Sequence, residues 1–213
     1  MPRRARRRQT QVAQQADPVL SCNDFFFDEN MGLFKAAFGA DIRASDGGEV
    51  LLQCREQNIG RWTRFWRFAD MKRITPFDLL VRYPDGRGFL RMRRGAALWT
   101  SRVMVDDGAG MPLGMFVLRP FSVCGAFDVL DAYGARLCVL KGSRLGWRFL
   151  FSTTDGTELA RVEKVWAGWR KELFSCASDY RLTIDEAVGQ ADVLRQMMLA
   201  SVLCIGMVAK IEV

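Results

Sequence analysis

Short apolar runs separated by glycine-bearing turns fill most of the chain. Gly47-Gly48, Asp85-Gly86, Asp107-Gly108, Tyr133-Gly134 and Asp155-Gly156 each divide two such runs. Glycine supplies positive φ in such turns, and Asp or Asn fits beside it. The last four turns start at 85, 107, 133 and 155, the rhythm of a meander of hairpins. The runs between them, 77–83, 89–94, 101–105, 113–118, 127–130, 136–140, 147–152 and 158–165, predict strands. Runs 24–27, 40–44 and 50–56 predict three more. In Trp147-Arg148-Phe149-Leu150-Phe151 three aromatics share one face at period two. A sheet of this many strands tends to close, because closure removes its edges.

From Asp185 the period changes. Ala187, Ala191, Leu194, Met198 and Ser201-Val202 recur at three- and four-residue steps, which predicts a helix. Residues 196–209 run for 14 positions without a charge. As helix they reach about 21 Å, short of the roughly 30 Å of bilayer hydrocarbon. Ala200, Ser201, Cys204, Gly206 and Ala209 are small and spread around the helix, so backbone can approach from every side. A helix apolar all round must be enclosed. The predicted class is mainly β (α+β), a closed antiparallel barrel with a C-terminal helix through its middle. A sandwich with the helix on one face, and a membrane hairpin or span, are the alternatives.

Composition supports a filled core: 49% of the 213 residues are apolar. With no histidine, every His-dependent triad and every His-ligated metal site is excluded. Net charge is +7, and Arg3, Arg4, Arg6, Arg7 and Arg8 supply five of those charges, leaving +2 for everything after them. Residues 1–20 read as a basic, disordered tail, and 21–213 as one domain. The tail is a candidate for anionic lipid, or for nucleic acid, which no other part of the chain invites. It is not a secretory signal, because 9–17 is polar where an apolar core belongs. The six cysteines are scattered without a C-x-x-C pair and read as reduced, buried thiols.

Arg91, Arg93 and Arg94 surround Met92 late in a predicted strand, and such a cluster can hold phosphate groups through paired N–H donors. Trp62, Phe65, Trp66 and Arg67 belong to a stretch that alternates aromatic and basic residues, a candidate protein-interaction patch or an amphipathic segment tucked on the barrel. Asp70 with Lys72, and Glu163 with Lys164, read as ordinary surface pairs. No phosphate loop, dinucleotide fingerprint or nucleophile elbow is present, so the expectation is a protein without catalytic activity.

Several stretches together resemble the phospholipid scramblase-like family. They are Met31-Gly32-Leu33-Phe34-Lys35-Ala36-Ala37 with Ala40-Asp41-Ile42, Thr75-Pro76-Phe77-Asp78, Arg94-Gly95 and Leu113-Gly114-Met115-Phe116. The fullest is the stretch 155–174, from Asp155-Gly156-Thr157-Glu158 to Lys171-Glu172-Leu173-Phe174. The likeness covers 22–213 and extends, more distantly, to LURP-one-related and Tubby-like proteins. It implies a closed barrel of about twelve strands around a hydrophobic C-terminal helix. The family's named activity is calcium-dependent movement of phospholipid between leaflets. Its acidic calcium loop has its counterpart at 176–185, where the two leading aspartates are replaced by Cys176 and Ser178. Asp179 and Asp185 remain, with Arg181 between them. Calcium takes six to eight oxygen ligands, several of them carboxylates, so neither calcium nor another cofactor is expected. The expected role is a cytoplasmic barrel at a lipid or membrane surface, with anionic phospholipid as partner. The alternative is an interaction or scaffold module with no lipid role.

Overall fold

The computed structural model describes residues 17–29, 38–44, 48–57, 76–95, 102–119, 126–143, 148–165, 179–189 and 193–208. A helical turn, α1 (Pro18–Ser21), precedes the strands. They are β1 (Asp24–Glu29), β2 (Gly39–Arg43), β3 (Val50–Glu56), β4 (Phe77–Arg82), β5 (Gly88–Arg94) and β6 (Arg102–Asp107). There follow β7 (Pro112–Leu118), β8 (Ala126–Asp131), β9 (Arg136–Gly142), β10 (Arg148–Ser152), β11 (Glu158–Val165) and β12 (Asp179–Ile184). Helix α2 (Val193–Val208) comes after them. Each strand pairs antiparallel with its neighbours in sequence, and β1 pairs with β12, so the sheet closes into a twelve-strand barrel.

Hairpins at one end set the register. Tyr83, Asp107, Asp131 and Thr153 each donate N–H to the carbonyl four residues on, and accept at their own carbonyl from Gly86, Gly110, Gly134 and Gly156. Those glycines have φ of 87°, 86°, 86° and 93°, a region that a Cβ disfavours. In the second hairpin the positive-φ residue is thus Gly110, two positions beyond the glycine that the Asp-Gly pattern marks. Each of the five hairpin-linked strand pairs carries a register shift next to its turn. An extra residue bends a strand and raises its twist, which is what curling a sheet into a tube requires. Gly114 allows a further close approach. A Cβ there would stand 2.1 Å from the Leu130 carbonyl oxygen.

Period-two alternation sends Phe77, Leu79 and Val81, Phe149 and Phe151, and Leu182 and Ile184 inward. The space they enclose is filled by α2. Residues 197–205 are all buried, Ser201 among them, and its hydroxyl donates back to the Met198 carbonyl at 2.6 Å. The helix touches β12 on one side and β5, β6 and β7 on the other. In the ring, β12 and β6 are diametrically opposite. The helix therefore runs through the barrel, and the sandwich alternative falls.

Two boundaries differ from the sequence reading. Residues 185–188 form a turn rather than the start of a helix, with Val188 N–H donating to the Asp185 carbonyl at 3.0 Å, and the described helix spans Val193–Val208. The stretch read as an acidic loop is largely β12, the closing strand. Within the stretch read as tail, Asp17 caps α1 by accepting from Val19 N–H at 3.0 Å, and Val19 is buried.

Arg195 locks the hairpin end. The residue is 2% exposed, and its guanidinium donates to the carbonyls of Leu20 (3.0 Å), Cys22 (2.7 Å) and Val188 (3.3 Å), and to Asn23 Oδ1. One side chain thus ties α1, the start of β1 and the β12–α2 connection to the plug.

Candidate functional site

Since the helix and inward side chains fill the interior, function must be sought on the wall and at the ends. Burial pushes the Cys138 and Cys204 thiols up to about 12 and raises Cys54 as well, so all three stay protonated at neutral pH. None of the three has the character of a nucleophile. Among the described residues no group of three His, Cys, Asp or Glu is placed to hold a metal ion.

The structure divides the arginine triplet between two faces. Arg91 and Arg93 point out, whereas Arg94 points in, 3% exposed, with its guanidinium 4.9 Å from the centre of the Phe77 ring. Arg91 grips Asp78 through Nε at 2.8 Å and Nη2 at 2.5 Å, and Arg93 Nη2 reaches Asp106 at 2.5 Å. Similar cross-strand forks join Arg181 to Asp24 and Arg119 to Asp128, with Arg136 adding to Asp128 at 2.9 Å. The partner guanidinium, chiefly through its hydrogen bonds, holds the carboxyls of Asp24, Asp78 and Asp128 below their usual range. Arg82, Arg102 and Lys141 also point out and have no acid partner among the described residues.

Register explains why so many outward positions are arginine. Phe26 stands between Arg181 and Arg43, Leu80 between Arg55 and Arg91, and Leu150 between Arg161 and Lys141. Long basic side chains lay their aliphatic stems over apolar neighbours and keep the charge in water. One rung breaks this rule. Arg93, Met104, Met115, Leu130 and Arg136 are successive partners across β5 to β9, with three apolar residues in a row. The sequence reading missed this rung. The alternation in 102–107 and 112–118 marks which residues point outward, but only strand register sets them side by side.

Asp179 is the first residue of β12 and Asp185 follows its last, so six residue steps, about 20 Å, separate them along the strand and one ion could not bridge them. Asp179 is buried, and Asp185 is exposed and accepts from Ala187 N–H at 2.8 Å. Arg3, Arg4, Arg6, Arg7 and Arg8 lie outside the described residues, as do Trp62, Phe65, Trp66 and Arg67. The strand ends that flank 58–75, 96–101, 144–147 and 166–178 all belong to the end of the barrel away from the hairpins. In sequence these four segments carry all six tryptophans, Trp62, Trp66, Trp99, Trp147, Trp166 and Trp169.

No protein-family model, curated protein or solved structure matches this chain.

Proposed function

We propose that the chain is a scramblase-like, non-catalytic barrel protein that works in the cytoplasm, peripheral to a membrane, on a surface containing anionic phospholipid. The observation that carries this reading is the enclosed helix. A closed twelve-strand barrel plugged by an apolar helix is the architecture that the scramblase-like resemblance implies. Two features support a peripheral mode of binding. The outer wall carries charged forks, such as Arg91 with Asp78 and Arg181 with Asp24, where a spanning barrel presents an apolar band. Among the described residues no helix is long and apolar enough to cross a bilayer. The surplus cations Arg82, Arg102 and Lys141 supply attraction to anionic headgroups of up to about 1 kcal/mol each.

Vesicle flotation tests the reading. The full chain is expected to float with phosphatidylcholine vesicles containing phosphatidylserine at low salt, and to stay behind with phosphatidylcholine alone. Equal recovery in the unbound fraction with both would overturn it. In a dithionite assay on proteoliposomes, no calcium-stimulated exchange is expected, because a helix held within its own barrel cannot also form a path across lipid.

A further inference from the structure

We propose that the outer ladder Met104–Met115–Leu130 is the face by which the barrel docks on an anionic lipid surface. The inference rests on the lipid reading above and adds to it a place on the molecule. The ladder crosses three adjacent strands, β6, β7 and β8, so it is about 10 Å wide. Val117 continues it along β7 toward the end away from the hairpins. Toward the hairpin end it reaches the tips of two neighbouring turns, where Met111 is 64% and Tyr133 96% exposed. With Met104 at 40%, these are three of the four large apolar side chains that stand exposed among the described residues. An aromatic with a polar tip, projecting from a turn, suits the headgroup layer. Flexible methionines adapt to an irregular apolar phase.

Charge selects the occupant. Arg93 and Arg136 close the ladder at its two ends, but each is already paired, with Asp106 and Asp128, so the surplus positive charge lies on two other residues. Arg102 opposes Val117 one rung away, and Lys141 projects from β9; neither has an acid partner among the described residues. A second copy of the chain would bring one cationic fringe against another, which costs energy. A helical partner needs a groove, whereas the wall of a closed barrel curves away on both sides of the ladder. A fluid, anionic interface accepts a convex, cation-fringed face. Of the nearby acids, Asp106 is taken up by Arg93 and Asp128 by Arg119 and Arg136, while Asp107 and Asp131 fold an oxygen back onto their own turns. Asp107 accepts from the N–H of Ala109 and Met111, and Asp131 from that of Tyr133 and Ala135.

The test is flotation of the full chain with vesicles of phosphatidylcholine and about one-fifth phosphatidylserine, at about 0.05 M and about 0.5 M salt. Met104→Glu with Met115→Glu is expected to weaken binding by at least about tenfold. Leu80→Glu, placed in an arginine-flanked rung, is expected to leave it unchanged. If the double glutamate variant loses its native circular dichroism, Arg102→Gln with Lys141→Gln replaces it, and the salt-sensitive part of binding should fall. Binding by the wild type that neither pair diminishes overturns this placement and leaves the lipid reading standing. A wild type that ignores vesicles overturns both. Capture of an acidic amphipathic peptide in place of vesicles, lost in the same variants, overturns the lipid occupant in favour of a protein.

Discussion

Replacing Arg195 with methionine isolates the lock at the hairpin end of the barrel. The change keeps a long, flexible stem but removes four hydrogen bonds, to the carbonyls of Leu20, Cys22 and Val188 and to Asn23 Oδ1. Each buried acceptor left without a donor costs about 1–3 kcal/mol. Against that stands relief of an unfavourable charge. Among the described residues Arg195 has no acid partner; it sits in the first turn of α2, where the helix dipole is positive, and has its pKa lowered by burial. The balance is a net loss of about 2–4 kcal/mol, since water entering the barrel mouth can satisfy part of the orphaned set. For a domain of this size that lowers Tm by roughly 10 °C. Arg195→Lys keeps the charge and loses the planar fork, so it should recover less than half of the difference. Calorimetry and urea unfolding followed by tryptophan fluorescence measure both variants. A methionine variant with wild-type Tm would refute the lock.

Two more outcomes follow from close approach and from charge. Gly114→Ala should cost about 1–3 kcal/mol by pushing β7 away from the Leu130 carbonyl, whereas Gly95→Ala, with open space around it, should stay within about 0.5 kcal/mol; equal urea midpoints would contradict the packing at β7–β8. Asp24, Asp78 and Asp128 titrate lower in the folded than in the unfolded state. Their contribution is therefore complete above the unfolded value of about 3.9 and disappears as pH falls through the folded values. Asp128→Asn should lose up to about 1 kcal/mol at pH 7, discounted because Arg119 and Arg136 are partly exposed, and nothing in strong acid. A difference that persists near pH 2, in urea titrations of both proteins, would assign the loss to packing.

Much of the barrel was legible because its physics is local. A turn glycine and a two-residue period announce each hairpin without reference to the rest of the chain, and the strands from 77 to 165 lie within a few positions of where that pattern puts them. What was not legible depends on partners distant in sequence. β12 carries the same alternation in Tyr180, Leu182 and Ile184, but the resemblance, which makes 176–185 the counterpart of a calcium loop, hides it until β1 and β11 are placed beside it. Gly110 gives way to Gly108 in the sequence reading because both adjoin plausible turn residues, and only the hydrogen bond to the Asp107 carbonyl decides between them. Arg94 looks equivalent to Arg91 and Arg93, yet one step of parity turns it into the interior. The apolar rung on the outer wall is invisible in sequence for a similar reason. Met104, Met115 and Leu130 are eleven or more positions apart, and nothing but strand register makes them neighbours.

The plug follows all twelve staves of its own cask. The seam that shuts the ring joins Asp24 to Thr183, 159 positions later, and the segment that fills it emerges later still. A nascent chain must therefore hold a greasy trough open until its final contents arrive, with long-range pairing that is intrinsically slow. Hairpins that curl on their own, one after another, shorten that wait by bringing the two distant edges of the trough toward each other before either has met its mate.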